Sequence, residues 1–366
     1  MRTIRRLIYR EVLGAVVFVA VGFLALFFFF DFVDELPNVG RGASHYGLTQ
    51  ALAYVTLMIP SHLYELFPIA VLIGTIFVMA RLAQSSEYTI LRTSGLGPWR
   101  ALRTLLALGL MFALLTFATG DYLAPVADRT GQLLKARLEG LISIGQTGAW
   151  LKEKQVQYTY NANVKAITPD GGMRGVRIFE SDLRGFLVSI TQAPTAQFED
   201  GAWLLKDAER TEFPARGTSV ARVDHVKLPS MRWPTGISPE MVSVALLNPD
   251  RMGTIDLFQY IRHLEANGQT SQRYEIEFWR KVFYPLSCMV MVVLALPFAY
   301  LHFRTGGITG YVFGGVLIGI SFFMLNNVFG YIGNLQNWRP WLTAAAPGLI
   351  YSMLSLGAFG WLVLRR

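Results

Sequence analysis

The sequence contains one cysteine, Cys288, and little charge: Asp, Glu, Lys and Arg make up 16% of its 366 residues. A single cysteine excludes an intramolecular disulfide, and its place in an apolar run makes it a buried, inert thiol rather than a nucleophile. Low charge beside 52% hydrophobic residues excludes an ordinary soluble domain. No GxxxxGK[ST] phosphate loop is present, so the chain does not bind ATP by that route. HExxH and CxxC are absent, and so is G-x-S-x-G in a strand–turn–helix context. Asp31, Asp34 and Glu35 mark the wet end of an apolar run rather than an acid–base pair. His62 has no second His or Cys at ligand spacing, so it reads as a polar group at a membrane boundary. Gly306-Gly307 and Gly314-Gly315 read as close helix packing, not as a nucleotide cradle. No catalytic constellation remains, and no metal or cofactor is expected on this chain.

What is present is a set of long uncharged runs. Val12–Phe30 follows the basic MRTIRRLIYRE and, as a helix, reaches about 28 Å, close to the roughly 30 Å of a bilayer's hydrocarbon core. It ends in FFFFDFVDEL with no small-residue cleavage site, so it is a retained span rather than a signal peptide. The second uncharged window, Leu66–Ala80, is short. That span must recruit Pro60–Glu65 or more, with a bend at Pro60 or Pro68. Thr104–Gly120, closed by Asp121, is the third. Val282–Leu301, a span within Thr305–Trp338, and Pro340–Leu364 complete six. The basic N-terminus, Arg81–Arg103, Arg304 and Arg365-Arg366 all fall on one side. By the positive-inside rule that side is cytoplasmic and holds both termini, and the net charge of +8 is read this way rather than as a nucleic-acid signal.

Between the third and fourth spans the composition changes. Period-two alternation appears at residues 156–160, 175–179, 186–190 and 219–223. Turn residues separate these stretches: Pro169-Asp170-Gly171-Gly172, Asp182–Gly185, Glu199-Asp200-Gly201 and Pro214. The pattern predicts an all-β sandwich or jelly roll outside the membrane. The expected organisation is residues 1–145 as membrane helices one to three, 146–250 as the β-domain, and 251–366 as an amphipathic helix plus membrane helices four to six. That amphipathic helix is capped by Thr254, carries Leu257, Phe258, Ile261 and Leu264 on one face, and ends at Asn267-Gly268. It lies either at the outer membrane boundary or in the core of the β-domain.

The stretch RLAQSSEYTILRTSGLGPWRALR, Arg81–Arg103, holds a short helix at about residues 84–96. Ser85 or Ser86 can cap its start. Glu87 in the first turn and Arg92 near the last suit the helix dipole, and Gly95 then Pro98 stop it. On spacing alone it is either a surface helix that turns the chain round or a handle for a cytoplasmic partner.

Three segments carry a resemblance: FPIAVLIGTIFVMARLAQSSEYTILRTSGLGPWR, GDYLAPVADR and NNVFGYIGNLQNWRPWLTAAAPGLIYSML. With the order of three spans, β-domain and three spans, the whole chain resembles the LptF/LptG family of lipopolysaccharide-export permeases, and the LptG type more than LptF. The resemblance implies a heterodimer with an LptF-type permease, above an LptB-type ATPase dimer that uses ATP and Mg. An LptC-type single-span protein and an LptA-type periplasmic bridge complete the system. It would extract lipopolysaccharide from the outer leaflet of the Gram-negative inner membrane.

The short helix then becomes a coupling helix for the ATPase, with Glu87, Tyr88, Leu91 and Arg92 as contact residues. Phe27 and Phe30 on the first span and Tyr311, Phe322 and Phe323 on the fifth become apolar walls for acyl chains. Arg129, Lys135 and Arg137 become a basic rim for phosphates. Ordinary packing and snorkelling are the competing accounts of these groups. One departure stands out. Val12–Val39 contains no Lys or Arg, where LptG-type chains carry basic residues, and Asp31 lies there instead, as a gate residue or a partner for Arg129 or for another chain. Other function classes are a membrane-anchored assembly or sensor protein that transports nothing, and a mechanotransmitting permease, which the six-span layout disfavours.

Overall fold

The computed structural model describes residues 2–40, 47–139, 142–143, 148–168, 171–214, 223–239, 241–242, 249–300 and 308–361. The expected strand at 219–223, the Arg304 loop, Gly306-Gly307 and the C-terminal Arg pair lie wholly or almost wholly outside the described residues. The chain divides into two compact units: Met1–Asp34, Val55–Ala127 and Gln272–Arg366 form one, and Glu35–Tyr54 with Asp128–Ser271 the other.

The first unit is helical. Among the described residues, six helices are long and apolar enough to cross a membrane: Thr3–Asn38, Leu48–Gln84, Pro98–Gln132, Gln272–Tyr300, Thr309–Leu335 and Pro340–Phe359. In chain order, over both units, the helices ahead of the β-domain are α1 (Arg2–Glu35), α2 (Leu48–Gln84), α3 (Glu87–Thr93), α4 (Pro98–Ala118) and α5 (Ala124–Glu139). After the β-domain come α6 (Thr254–Ala266), α7 (Gln272–Phe283), α8 (Ser287–Ala295), α9 (Ile308–Leu335) and α10 (Pro340–Phe359). The second span does recruit the residues before Leu66, and α2 carries Pro60 and Pro68 inside one continuous helix. Its face Leu72, Ile76 and Met79 is buried with Val12 and Val16 of α1, Leu105 and Leu108 of α4, and Met291 and Val292 of α8. Small residues allow the close approaches. A Cβ on Gly74 would lie 2.7 Å from the Val16 backbone nitrogen, and one on Gly109 would lie 3.0 Å from Met289 Cα.

The third span does not end at Asp121. A π-turn, Thr119–Leu123, joins α4 to α5, and the helix continues through Pro125. Pro125 has no N–H, so the ladder must widen just before it. The Ala124 N–H accordingly reaches the Thr119 carbonyl.

The second unit holds an antiparallel sheet: β1 (Ile142–Ser143), β2 (Ala149–Lys154), β3 (Tyr158–Ile167), β4 (Met173–Asp182), β5 (Leu187–Glu199), β6 (Ala202–Glu212) and β7 (Asp224–Pro234). Strands β3 to β7 pair in chain order as a meander, and β1 and β2 both pair with β3. Two of the expected turns, Asp200-Gly201 and Asp182–Gly185, form where the sequence places them. Asp200 and Gly201 have φ +47° and +72°, the two-residue hairpin geometry that suits the strand twist. Asp182 Oδ1 accepts from the N–H groups of Arg184 and Phe186, and Gly185 takes φ +83°. The core is Val164, Met173, Val176, Leu205 and Trp203, whose indole N–H donates to the Ile237 carbonyl at 2.7 Å.

Helix α6 belongs to this unit, which favours the core-helix reading. Asn267 Oδ1 accepts from the Lys154 N–H at 2.9 Å, tying the end of α6 to β2. Two details differ from expectation. Gly253, not Thr254, holds the N-cap position, and no side chain caps the helix. Phe258 is 52% exposed while Tyr260 is buried with Leu257, Ile261 and Leu264, so the apolar face is rotated from the expected one.

Candidate functional site

Helix α3 is anchored at both ends and on one face. Its start uses no side-chain cap. Ser86 holds the N-cap position with φ +59°, and the Ser85 hydroxyl donates backwards to the Arg81 carbonyl at 3.1 Å. The expected Ser cap therefore does not form; Ser85 extends α2 instead. The C-terminus closes as a Schellman motif. The Leu96 N–H bonds the Leu91 carbonyl, the Gly95 N–H bonds the Arg92 carbonyl, Gly95 has φ +99°, and Leu96 is buried. Pro98 opens α4 rather than merely stopping α3.

Tyr88 points inward. It is 2% exposed and lies edge-on to Tyr300 at the end of the fourth span, with ring centroids 5.1 Å apart. The Arg92 guanidinium lies over the same Tyr300 ring at 5.0 Å, and Leu91 packs against the helical core. Burial raises the Tyr88 phenol above its ordinary pKa, Tyr300 adds to the rise and Arg92 opposes it, so the side chain stays neutral. Tyr88 is thus an anchor, not an outward contact, because adjacent helix positions point in different directions. The outward surface carries Glu87 and Ile90, the latter 63% exposed. The i, i+3 spacing from Glu87 is the sequence signal for Ile90.

The expected apolar walls separate into two groups. Phe30 is 54% exposed, while Phe27, Tyr311 and Phe323 are half-buried. Phe27 packs on the His62 ring at 5.0 Å and Tyr311 edge-on to Phe298 at 6.0 Å. Phe322 is 2% exposed, wedged between Tyr284 and Tyr351, so it is a core residue and not a wall. Of the rim, Arg129 is exposed on α5. Lys135 and Arg137 also lie on α5, but their side chains fall outside the described residues. Asp31 has a partner in its own chain: Oδ2 lies 2.6 Å from His62 Nε2, linking the first span to the second.

Two basic side chains pack inside the helical unit, Lys281 buried and Arg280 half-buried, at residues that first read as the flank of the fourth span. That span starts at Gln272, so Glu277, Arg280 and Lys281 lie within it. Lys281 is 6% exposed and donates to the Gly120 carbonyl at 3.0 Å, with its ammonium 5.4 Å from the Tyr64 ring. Gly120 sits in the π-turn, and its i+5 neighbour is Pro125, which has no N–H to offer. The turn leaves a carbonyl open and Lys281 fills it. Arg280 pairs with Glu277 at 2.8 Å and donates to the Asn326 carbonyl of α9. The i, i+3 spacing of Glu277 and Arg280 signals a helix ahead of the apolar run.

Six helices long and apolar enough to cross a membrane, with an inserted antiparallel β-domain, define a helical membrane protein with a β-domain. The particular family follows from comparison with known proteins. The model for the lipopolysaccharide export system permease LptF/LptG matches residues 6–365, and the chain belongs to that family. It is similar to the lipopolysaccharide export system permease protein LptG of Escherichia coli K12, with 28% identity over 339 residues, 92% of this chain and 90% of that one. It is similar also to LptG of Haemophilus influenzae, 25% identical over 369 residues, covering 100% and 99% of the two chains. These relatives agree with the LptG type. As a family member the chain is a permease subunit in a membrane and not an enzyme, and the sensor reading finds no support.

Proposed function

We propose that this chain is the LptG-type half of a heterodimeric permease that extracts lipopolysaccharide from the outer leaflet of the Gram-negative inner membrane and passes it to a periplasmic bridge. The observation that carries the reading is the family match, which runs through both sets of spans and the β-domain alike. An LptF-type chain is the other half, an LptB-type dimer supplies ATP hydrolysis with Mg, and LptC- and LptA-type proteins complete the route. The termini are cytoplasmic and the β-domain periplasmic, a reading that the distribution of basic residues supports.

In this scheme α3 docks on the ATPase through Glu87 and Ile90. Tyr88 and Arg92 meet Tyr300, so force applied to α3 reaches the end of the fourth span without passing through a flexible loop. Acyl chains contact Phe27, Phe30, Tyr311 and Phe323, and lipid phosphates contact Arg129, Lys135 and Arg137 by charge-assisted hydrogen bonds. The test is isolation of the tagged full-length chain in mild detergent, with its companions identified by mass spectrometry. An ATPase, a second six-span chain and lipopolysaccharide are expected with the parent. Glu87→Ala should lose the ATPase and keep the other two. A chain that emerges alone and free of lipopolysaccharide contradicts the reading.

A further inference from the structure

A basic cavity of about 410 Å³ lies where the N-terminal turns of α1 meet the start of α4. Arg5, Arg100 and Arg103 line it, with Ile4, Leu96 and Ala107 as apolar surface. Tyr9 donates to the Thr104 carbonyl at 3.2 Å and holds the two helices together beside it. All three arginines are exposed. Arg81 and Arg280 elsewhere are paired with Glu11 and Glu277. Among the described residues no carboxylate pairs with Arg5, Arg100 or Arg103. Arg100 gives one N–H to the Gly95 carbonyl at 3.0 Å, which fixes its guanidinium while leaving other donors available.

What the cavity opens onto decides its ligand. Arg100, Arg103, Ala107, Leu110, Leu114 and Phe117 follow one another at spacings of three and four, so they form one stripe along α4. Leu110, Leu114 and Phe117 are 49%, 62% and 39% exposed. From Ala107 to Phe117 the stripe runs about 15 Å, half of the roughly 30 Å hydrocarbon core, which is the depth of one leaflet. Trp99, 66% exposed, places the arginine level at the membrane–water boundary that tryptophan favours. A soluble acidic peptide or a free anion would use the arginines and leave the stripe idle.

We propose that this cavity binds an anionic glycerophospholipid, with its phosphate held by Arg5, Arg100 and Arg103 and its acyl chains laid along the Ala107–Phe117 stripe of α4. The phosphate takes charge-assisted hydrogen bonds from guanidinium forks, and basic clefts between membrane helices hold anionic headgroups in this way. The site involves neither the coupling helix contacts nor the cargo walls, so it can exist whether or not this chain exports lipopolysaccharide.

The test uses the full-length chain with whatever assembles on it, in detergent, titrated by native mass spectrometry. The probes are short-chain phosphatidylglycerol, phosphatidylcholine of the same chain length, and inorganic phosphate. The parent should bind phosphatidylglycerol in preference to phosphatidylcholine. Arg5→Gln/Arg100→Gln/Arg103→Gln should weaken that binding at least about tenfold. Removing the same charge from the β-domain surface, by Arg174→Gln/Arg177→Gln/Arg184→Gln, should leave it unchanged. Ala107→Trp keeps the arginines and fills the cavity, and should also weaken binding, which guards against simple misfolding of the triple variant. Parent-like binding by the arginine triple and Ala107→Trp overturns the proposal. So does inorganic phosphate that competes as well as the lipid does, which would make this a free-anion site. Loss of a co-purifying protein from the triple with lipid binding intact overturns it too, in favour of a protein contact.

Discussion

The second and fourth membrane helices have 78% and 67% of their apolar windows buried, whereas the first and fifth have 17% each. All four are of spanning length and strongly apolar, so hydropathy does not distinguish them. What differs is the neighbour. The second and fourth are packed on by protein through Leu72, Ile76, Met291 and Val292. The first and fifth leave Val17, Phe18, Phe30, Phe313, Leu317 and Met324 uncovered. A membrane helix that stays uncovered on most sides faces lipid, cargo or a partner chain. The two buried spans form the frame of the helical unit, and the two bare ones are its uncovered surface, which the proposed export gives to cargo and partner.

The contrast can be broken most severely at glycines. Gly74→Leu puts a side chain into the Val16 backbone and should cost about 3 kcal/mol or prevent assembly of the helical unit. Gly22→Leu, on the bare face of α1, meets nothing within 4 Å and should be tolerated. Expression level and thermal denaturation of the purified chain separate the two, and equal damage would erase the distinction between frame and surface. A smaller loss is expected from Lys281→Met, which leaves the Gly120 carbonyl buried without its donor, worth about 1–3 kcal/mol. The same melt measures it, and restoration by Lys281→Arg would point to the donor rather than to packing volume. Asp31→Asn should remove about 1 kcal/mol, since both members of the pair are about a fifth exposed. Its signature is added mobility at the outer end of the first span, read by spin labels beside Phe30, with the frame unaffected.

The smallest effect lies in the β-unit. Burial holds His263 below its ordinary value of 6.5, with Glu153 opposing. The unfolded chain therefore binds this proton first, and stability falls as pH drops below about 6.5. Hydrogen exchange of α6 against pH should show the loss, and His263→Gln should flatten it.

The six spans were legible because each is a run with few charges, and the β-unit because Asp200-Gly201 and Asp182–Gly185 punctuate its alternation. The continuation of the third span was not legible. Asp121 and Pro125 are ordinary stop signals, and only a π-turn with a distant lysine to complete it lets the helix pass them. Tyr88 could not be oriented from sequence either. Helix α3 has 7 residues, too few for a period to emerge, and the Tyr300 it packs on is set by tertiary folding. Asp31 found His62 for the same kind of reason, across 31 positions, with no local pattern to announce it. Of the candidate residues, the position of Glu87 in the first turn of α3 was readable, though not its role. The inward turn of Tyr88 and Phe322 was not.

The most direct measurement is photocrosslinking in cells that make lipopolysaccharide, with a photoreactive phenylalanine placed at Phe30, Phe313 or Phe322 in the full-length chain. Adducts of lipopolysaccharide at the exposed Phe30, and none at the buried Phe322, are what a bare working surface and a closed frame predict, with Phe313 reporting how far along the fifth span the cargo or the partner reaches. Lipopolysaccharide captured at Phe322, or at none of the three positions while the chain remains folded and assembled, would contradict the account.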